Sequence, residues 1–217
     1  MWNENALRVC LCTDQAVAGG RSLTEAVEQA VSGGVTMVQL REKTACGRDF
    51  YNLAIEMRKL TKRLRVPLII NDRTDIALAA GADGVHLGQS DLPVEAARRI
   101  MEHGIIGVSA GNAEQAVLAW RGGADYIGAG AVFPTPSKDD AGEAIGLDTL
   151  RDICASVKVP VIAIGGVHAG NAADVMRCGA SGIAVISAIL ANADPREAAR
   201  KIAAAQKTAT DIRIPCP

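Results

Sequence analysis

Short apolar runs alternate with Ala-rich amphipathic segments along almost the whole chain. The apolar runs lack polar alternation, which is typical of strands buried on both faces of a parallel sheet. They predict strands near residues 7–13, 35–40, 67–71, 83–87, 105–109, 125–129, 160–164 and 182–186. The amphipathic segments predict helices near residues 21–32, 47–64, 73–80, 93–102, 112–121, 147–156, 170–178 and 195–206.

Glycine-rich tetrapeptides separate these elements at regular intervals. Each closes a helical segment and opens an apolar run, since glycine readily ends a helix: Gly33-Gly34-Val35-Thr36, Gly81-Ala82-Asp83-Gly84, Gly123-Ala124-Asp125-Tyr126 and Gly179-Ala180-Ser181-Gly182. Eight strand–helix units predict an α/β fold, a single (β/α)8 TIM barrel, with a doubly wound open sheet as the alternative. We expect one domain over residues 1–217, with the barrel at about 7–206 and a short tail at 207–217.

The composition is that of a globular protein with a large core. The 217 residues are 49% hydrophobic and 22% charged, and the net charge is -1, which gives no reason to expect nucleic acid or an anionic membrane as a partner. The N-terminus does not resemble a signal peptide, and no apolar run approaches the ~18 residues of a membrane span. The six cysteines show no C-x-x-C spacing. These features predict a reduced, cytoplasmic protein.

Polar side chains follow nearly every predicted strand, at the end where TIM barrels carry their active sites. Arg41 and Lys43 stand two residues apart after the second strand, a spacing that directs both side chains the same way on an extended chain. Together they are suited to one multiply charged anion, although a solvated strand end is the alternative. The other strands are followed by Asn71 and Asp72; His86, Gln89 and Asp91; Ser109; Thr135, Ser137 and Lys138; Gly165 and Gly166; and Ser187.

Two anion sites are expected from these groups. Asp72 and Asp91 can share one Mg2+, which typically takes one or two carboxylates plus phosphate oxygens, and Arg41, Lys43 and Lys138 supply positive charge. Each carboxylate also has a structural alternative. Asp91 reads equally as part of a helix start before a proline, and Asp72 as an ion-pair partner of Arg73 or Arg98.

The second anion site is predicted at Gly165-Gly166 and Ser187, because the loops after strands seven and eight commonly bind a phosphate in barrels. The longest irregular stretch, residues 130–146, is a candidate lid. His86 ends an apolar run and is expected to be a hydrogen-bonded structural histidine rather than a general base.

The residues that follow the predicted strands belong to an ordered set of motifs: Gln39-Leu40-Arg41-Glu42-Lys43, Asn71-Asp72, Gly84-Val85-His86-Leu87-Gly88-Gln89 with Asp91, Gly107-Val108-Ser109, Val132-Phe133-Pro134-Thr135-Pro136-Ser137-Lys138, Ile164-Gly165-Gly166 and Val185-Ile186-Ser187. As a set in this order, the motifs resemble the thiamine phosphate synthase family over nearly the whole chain. Strand one lacks the tyrosine, and residues 139–146 lack the proline, that the family pattern leads us to expect; neither is a proposed ligand.

The resemblance implies a transferase that joins hydroxymethylpyrimidine diphosphate to hydroxyethylthiazole phosphate. It implies one Mg2+ per subunit held by Asp72 and Asp91, and a homodimer. The pyrimidine diphosphate would be bound by Gln39, Leu40, Arg41, Glu42, Lys43, Asn71, Ser109 and Lys138, among which Lys138, Ser109, Arg41 and Lys43 would be catalytic. The thiazole phosphate would be bound by Thr135, Pro136, Ser137, Gly166, Ile186 and Ser187.

The chemistry implied needs no catalytic base, because the thiazole nitrogen already carries a free lone pair. The aminopyrimidine can stabilise an exocyclic methylene cation, so the C–O bond can break before attack, with Ser109 assisting by a hydrogen bond to the ring amine. Two alternatives remain at this point. A related thiazole tautomerase of the same fold uses a histidine where this chain has Gly111, and a non-catalytic phosphate binder would have no need of Asp72, Asp91 and Lys138 together.

Overall fold

The computed structural model describes residues 4–137 and 142–211. Within these residues a short 3-10 helix, Glu4–Leu7, precedes eight strands. The strands are β1 Val9–Cys12, β2 Met37–Leu40, β3 Leu68–Asn71, β4 Gly84–Leu87, β5 Ile105–Ala110, β6 Tyr126–Ala129, β7 Val161–Ile164 and β8 Gly182–Val185. Each lies inside or within one residue of its predicted range.

Helices follow the strands, on the outside of the sheet. They are α1 Leu23–Ser32, α2 Gly47–Leu64, α3 Thr74–Ala79, α4 Val94–Ile100, α5 Ala113–Arg121, α6 Gly146–Ser156, α7 Ala172–Arg177, α8 Ser187–Leu190 and α9 Pro195–Asp211. The four-residue α8 was not predicted, because so short a segment shows no helical periodicity. Helix α9 runs five residues beyond its predicted end at residue 206.

All described strands pair in parallel and in chain order, and β1 pairs with β8 to close the sheet into a barrel. This arrangement is a (β/α)8 TIM barrel, as predicted, and it excludes the open-sheet alternative. Nearly every strand residue is buried, because the barrel interior covers one face of the sheet and the helices cover the other. No helix among the described residues combines the length and hydropathy needed to cross a membrane.

Two of the glycine-rich tetrapeptides form the same structure at the amino end of the barrel. The Asp83 carboxylate accepts a hydrogen bond from the Leu68 N–H at 2.8 Å and pairs with Arg58 at 2.6 Å. Asp125 repeats this pattern with the Ile106 N–H at 2.8 Å and Arg98 at 2.6 Å. These bonds fix neighbouring strands to one another and to α2 or α4. Arg98 therefore pairs with Asp125. In the described part of the chain, the structure does not form the ion pair between Arg98 and Asp72 that was one alternative for that carboxylate.

Candidate active site

A cavity of about 940 Å3 opens at the carboxyl ends of the strands. It is the face on which barrels of this kind carry their active sites. Twelve of the residues predicted for the site line this cavity: Arg41, Lys43, Asn71, Asp72, Asp91, Ser109, Thr135, Pro136, Ser137, Gly166, Ile186 and Ser187. Side chains from positions far apart in sequence therefore meet in one chamber.

Three residues of the first motif lie elsewhere. Leu40 is fully buried in the core, and Gln39 is 2% exposed within the barrel. Glu42 shapes its own loop, since its carboxylate accepts hydrogen bonds from the N–H groups of Thr44 at 2.7 Å and Ala45 at 3.0 Å. Burial tends to raise the pKa of Glu42, but these hydrogen bonds outweigh it and hold the pKa below its usual value.

Lys138, predicted to bind the diphosphate, lies outside the described residues, together with part of the predicted lid. The base of that loop is anchored: the N–H groups of Ile145 and Gly146 donate to the carbonyls of Ala131 and Val132 at 2.8 and 3.1 Å. The two ends of the 130–146 segment are thereby held together beside the cavity.

Arg41 and Lys43 are oriented by carboxylates on neighbouring loops. The Arg41 guanidinium lies 2.8 Å from the Asp14 carboxylate, and its backbone N–H donates to the buried Thr13 hydroxyl at 3.1 Å. Lys43 Nζ lies 2.7 Å from Asp72 Oδ2. Both cations thus reach the cavity wall with fixed directions, Arg41 largely enclosed and Lys43 more open to solvent.

The two predicted metal-binding carboxylates come together at the ends of β3 and β4. Asp72 adopts a left-handed conformation, with φ at 66°, and its N–H donates to the carbonyl of His86 on the neighbouring strand at 2.8 Å. Such backbone strain is typical of functional positions. Asp91 accepts a hydrogen bond from the Gly88 N–H at 2.7 Å. Helix α4 begins later, with Pro93 at its N-cap, so Asp91 does not cap it.

The two carboxylates lie close enough for each to affect the charge of the other. Burial raises the pKa of Asp91, and the neighbouring Asp72 carboxylate raises it further, while the Gly88 N–H and Lys43 act in the opposite direction. No group of three or more His, Cys, Asp or Glu side chains among the described residues could hold a metal. A metal at this pair would therefore have two protein carboxylates as ligands and would take its other ligands from water or substrate. This set fits Mg2+, which keeps several waters and binds one or two protein carboxylates.

A second group of polar residues lies across the cavity, at the ends of β6, β7 and β8. The hydroxyls of Ser137 and Ser187 are 2.9 Å apart, and the Ser137 N–H donates to the Thr135 hydroxyl at 3.2 Å. Ser187 is the first residue of α8. The group presents hydroxyls without a described acidic side chain among them, so it is suited to an anion.

The Gly165-Gly166 pair lets this region close up tightly. Both residues have positive φ, 94° and 64°. A Cβ on Gly165 would lie 2.4 Å from the Cβ of Ala131, and one on Gly166 would lie 2.7 Å from the Cβ of Phe133. The end of β7 therefore passes directly against the segment that carries Thr135 and Ser137, and only glycine permits that approach.

Sequence reasoning missed Asn171 and His168, which also line the cavity. The Asn171 amide donates to the Gly166 carbonyl at 2.9 Å and accepts from the His168 N–H at 2.8 Å, so it holds the loop after β7 in place. The available signal was the pair of polar residues shortly after Gly165-Gly166, but such residues before a helix read equally well as ordinary caps.

Ser109 lies on the cavity floor against a buried histidine. His86 Nε2 is 2.9 Å from Ser109 Oγ, and His86 Nδ1 is 2.9 Å from the Tyr126 hydroxyl. His86 is therefore hydrogen-bonded at both ring nitrogens, as expected for a structural histidine.

The fold and the site together define a class of protein: a (β/α)8-barrel enzyme with a cavity at the carboxyl ends of its strands that is lined by cationic, carboxylate and hydroxyl side chains. Residues 9–189 match the sequence model of the family described as thiamine monophosphate synthase. The chain belongs to that family, and it is a transferase.

Similar proteins agree over nearly their full length. The thiamine-phosphate synthase of Clostridium novyi is 51% identical, over 90% of this chain and 97% of its own. That of Chloroflexus aurantiacus is also 51% identical, over 91% of each. Among solved structures, thiamine phosphate pyrophosphorylase from Pyrococcus furiosus superposes with a TM-score of 0.88 at 41% identity, covering 95% of this chain and 98% of that one.

Proposed function

We propose that this protein condenses 4-amino-2-methyl-5-hydroxymethylpyrimidine diphosphate with 4-methyl-5-(2-hydroxyethyl)thiazole phosphate, giving thiamine phosphate and diphosphate. One observation carries the proposal: a single cavity holds two separate anion-binding groups on opposite sides. Cations and paired carboxylates lie at the ends of β2 to β4, and hydroxyls with a Gly-Gly turn lie at the ends of β6 to β8. Two phosphorylated substrates fit this division, one at each side.

The diphosphate is assigned to the first group. Arg41, with its guanidinium fixed by Asp14, and Lys43 supply positive charge, and Asn71 supplies an amide at the cavity wall. Asp72 and Asp91 would hold one Mg2+, which when bound would neutralise charge on the diphosphate oxygens. Gln39, Leu40 and Glu42 act indirectly in this scheme, through the core and the loop that carry Arg41 and Lys43.

The thiazole phosphate is assigned to the second group. Ser137 and Ser187 offer paired hydroxyls, and Thr135 fixes the backbone of Ser137. Pro136, Gly166 and Ile186 complete the wall. Seating the phosphate here directs the thiazole ring toward the centre of the cavity, where it faces the pyrimidine bound from the other side.

The reaction follows from charge and position. The thiazole nitrogen attacks with a lone pair that is already free, so no residue must remove a proton. The C–O bond to the diphosphate breaks first, and the aminopyrimidine ring stabilises the exocyclic cation that forms. Arg41, Lys43 and Lys138 stabilise the departing diphosphate, and the two binding groups keep the reacting atoms in line.

Lys138→Ala tests this division of roles, with Lys158→Ala as the matched control, because Lys158 packs over Trp120 before β7, at the other end of the barrel. We expect the Lys138 variant to lose about 100-fold or more in kcat, as when one transition-state donor is removed, and the control to keep its rate. Undiminished turnover by Lys138→Ala would contradict the assigned role.

The order of bond breaking has its own test. An electron-withdrawing substituent on the pyrimidine ring destabilises the cation and should slow turnover strongly at saturating substrate. A rate that is insensitive to the substituent would favour direct displacement instead.

A further inference from the structure

A hydrogen-bonded series of buried polar side chains lies beneath the cavity floor and ends at Ser109. The Cys12 thiol lies 3.4 Å from Gln39 Oε1, and Gln39 in turn hydrogen-bonds Tyr126. The Tyr126 hydroxyl is 2.9 Å from His86 Nδ1, and His86 Nε2 is 2.9 Å from Ser109 Oγ. Tyr126 is completely buried, so its hydrogen bonds are made within the protein.

Two glycines leave the space that these buried side chains occupy inside the barrel. A Cβ on Gly107 would lie 2.1 Å from Tyr126 Cζ and 2.5 Å from His86 Nδ1. A Cβ on Gly128 would lie 2.8 Å from His86 Cε1. A side chain at residue 107 would force the phenol or the imidazole to move, and one at residue 128 would force the imidazole to move. Glycine at both positions therefore allows the Tyr126 phenol and the His86 imidazole to pack together.

Which group donates in each of these hydrogen bonds can be argued from the bond between the Cys12 thiol and Gln39. Gln39 Oε1 accepts from the Cys12 thiol, so the amide N–H is the end of Gln39 that donates to the Tyr126 oxygen. Burial raises the pKa of Tyr126 well above its usual value, while the hydrogen bond from Gln39 lowers it, as expected for a donor to the phenolic oxygen. Tyr126 is therefore a neutral phenol whose own proton needs an acceptor, and His86 Nδ1 lies 2.9 Å away.

We propose that Gln39 and Tyr126 lock His86 as its Nε2–H tautomer, so that His86 donates to Ser109 Oγ and the Ser109 hydroxyl proton is directed into the cavity. The hydrogen bond at one ring nitrogen sets the protonation of the other. His86 and Tyr126 are positioning residues in this scheme. His86 cannot act as a base toward Ser109, because its Nε2 already carries the proton.

The consequence for substrate rests on the proposed function. A hydroxyl with its proton turned toward the cavity donates to an unprotonated ring nitrogen of the pyrimidine. As positive charge develops on the ring, that nitrogen becomes a poorer acceptor, so the bond stabilises the bound substrate rather than the transition state. Ser109→Ala should therefore raise KM for the pyrimidine diphosphate by about 10-fold, the worth of one hydrogen bond, without lowering kcat. Acceptance from the ring amine, which strengthens as the cation forms, would instead lower kcat.

The tautomer is measured directly by 15N NMR of the histidine side chains, with His103→Gln and His168→Gln identifying His86 among the three histidines. We expect His86 to be protonated at Nε2 and unprotonated at Nδ1. In Tyr126→Phe, which keeps the ring but removes the phenol, a population protonated at Nδ1 should emerge. Tyr51→Phe, on the outside of α2 with Tyr51 37% exposed, is the matched control and should change nothing. Protonation of His86 at Nδ1 in the wild-type protein would overturn the proposal.

Pyrimidine diphosphate analogues in which one ring nitrogen is replaced by C–H test the contact itself. If Ser109 donates to that nitrogen, the analogue loses affinity for the wild-type enzyme, and Ser109→Ala adds no further loss. If the two losses multiply for each analogue, Ser109 does not bond a ring nitrogen and the proposal fails. The NMR result needs no turnover, so a failure of the proposed function, seen as absence of product, is separate from a failure of this inference.

Discussion

Replacing Gly166 by alanine should perturb the residues assigned to bind the thiazole phosphate, and the structure allows the loss of stability to be worked out. Residue 166 has φ at 64°, and a Cβ there would lie 2.7 Å from the Phe133 Cβ and 2.8 Å from the Pro134 carbonyl oxygen. The left-handed conformation costs alanine about 1–2 kcal/mol. The collision adds about 1–3 kcal/mol, the usual range for overpacking.

Gly81→Ala is the matched control because it separates the two effects. Gly81 has φ at 63°, and a Cβ there would meet nothing within 4 Å. It lies after α3, outside the residues that line the cavity. Gly81→Ala should therefore lose only the conformational part, about 1–2 kcal/mol, whereas Gly166→Ala should lose about 2–5 kcal/mol in all.

The collision should also displace the segment that carries Thr135 and Ser137. Restoring 3.4 Å of ordinary contact from 2.7 Å requires a shift of 0.7 Å, and displacements near 1 Å can change binding and rate by up to ~100-fold. We expect KM for the thiazole phosphate to rise at least ~10-fold in Gly166→Ala, with KM for the pyrimidine diphosphate nearly unchanged.

Urea unfolding of both variants, with steady-state kinetics for each substrate, checks this prediction. Equal stability losses in the two variants, together with an unchanged KM for the thiazole phosphate, would show that residue 166 neither packs against the Phe133 segment nor positions the phosphate-binding hydroxyls. Either result alone would locate the error, in the packing of the loop against Gly166 or in the assignment of the second anion group.

Two further predictions concern the residues assigned to the diphosphate and the metal at the ends of β2 to β4. Burial and Asp72 raise the pKa of Asp91 in the folded state. Between the ordinary carboxyl pKa and this raised pKa, the folded protein therefore retains a proton that the unfolded chain has released. The stability of the metal-free protein should fall as the pH rises through this range. Urea midpoints across this pH range should show a shallower fall in Asp91→Asn, and parallel profiles would contradict the pair's coupling. Arg41→Ala should raise KM for the pyrimidine diphosphate about 30-fold, for the loss of ~2 kcal/mol of charge-assisted bonding. Asp14→Asn should cause a smaller rise, Arg63→Ala on the outer helices should cause none, and an equal effect of all three changes would count against a specific role for Arg41.

The sequence was sufficient to predict the barrel because each strand and helix carries its own pattern. The runs of buried residues and the glycines that follow four of the helices are local signals, and they repeat. The position of the site followed from topology, since parallel strands deliver their carboxyl ends to one face. For this reason Arg41, Asp72, Ser137 and Ser187 could be placed together although they are far apart in the chain.

The direction of side chains within the strands was harder to predict. Both faces of these strands are buried, so no alternation of polar and apolar residues marks which side chains point into the barrel. Gln39 was predicted to bind the pyrimidine, and this stays a prediction. What the sequence did not indicate is that its side chain is buried and contacts Cys12 and Tyr126. Asn171 escaped notice for a different reason: it acts through the Gly166 carbonyl, a contact that depends on the tertiary structure.

Synthesis of thiamine phosphate by this protein can be measured by mixing the purified protein with Mg2+, the pyrimidine diphosphate and the thiazole phosphate, and following thiamine phosphate as fluorescent thiochrome after oxidation. We predict product only when all three are present. Asp72→Asn should lose nearly all activity, because asparagine tolerates the left-handed backbone at residue 72 but lacks the charge. Asp75→Asn, which alters an exposed carboxylate on α3, should remain active. Absence of product from folded wild-type protein, or equal product without Mg2+, would contradict the account.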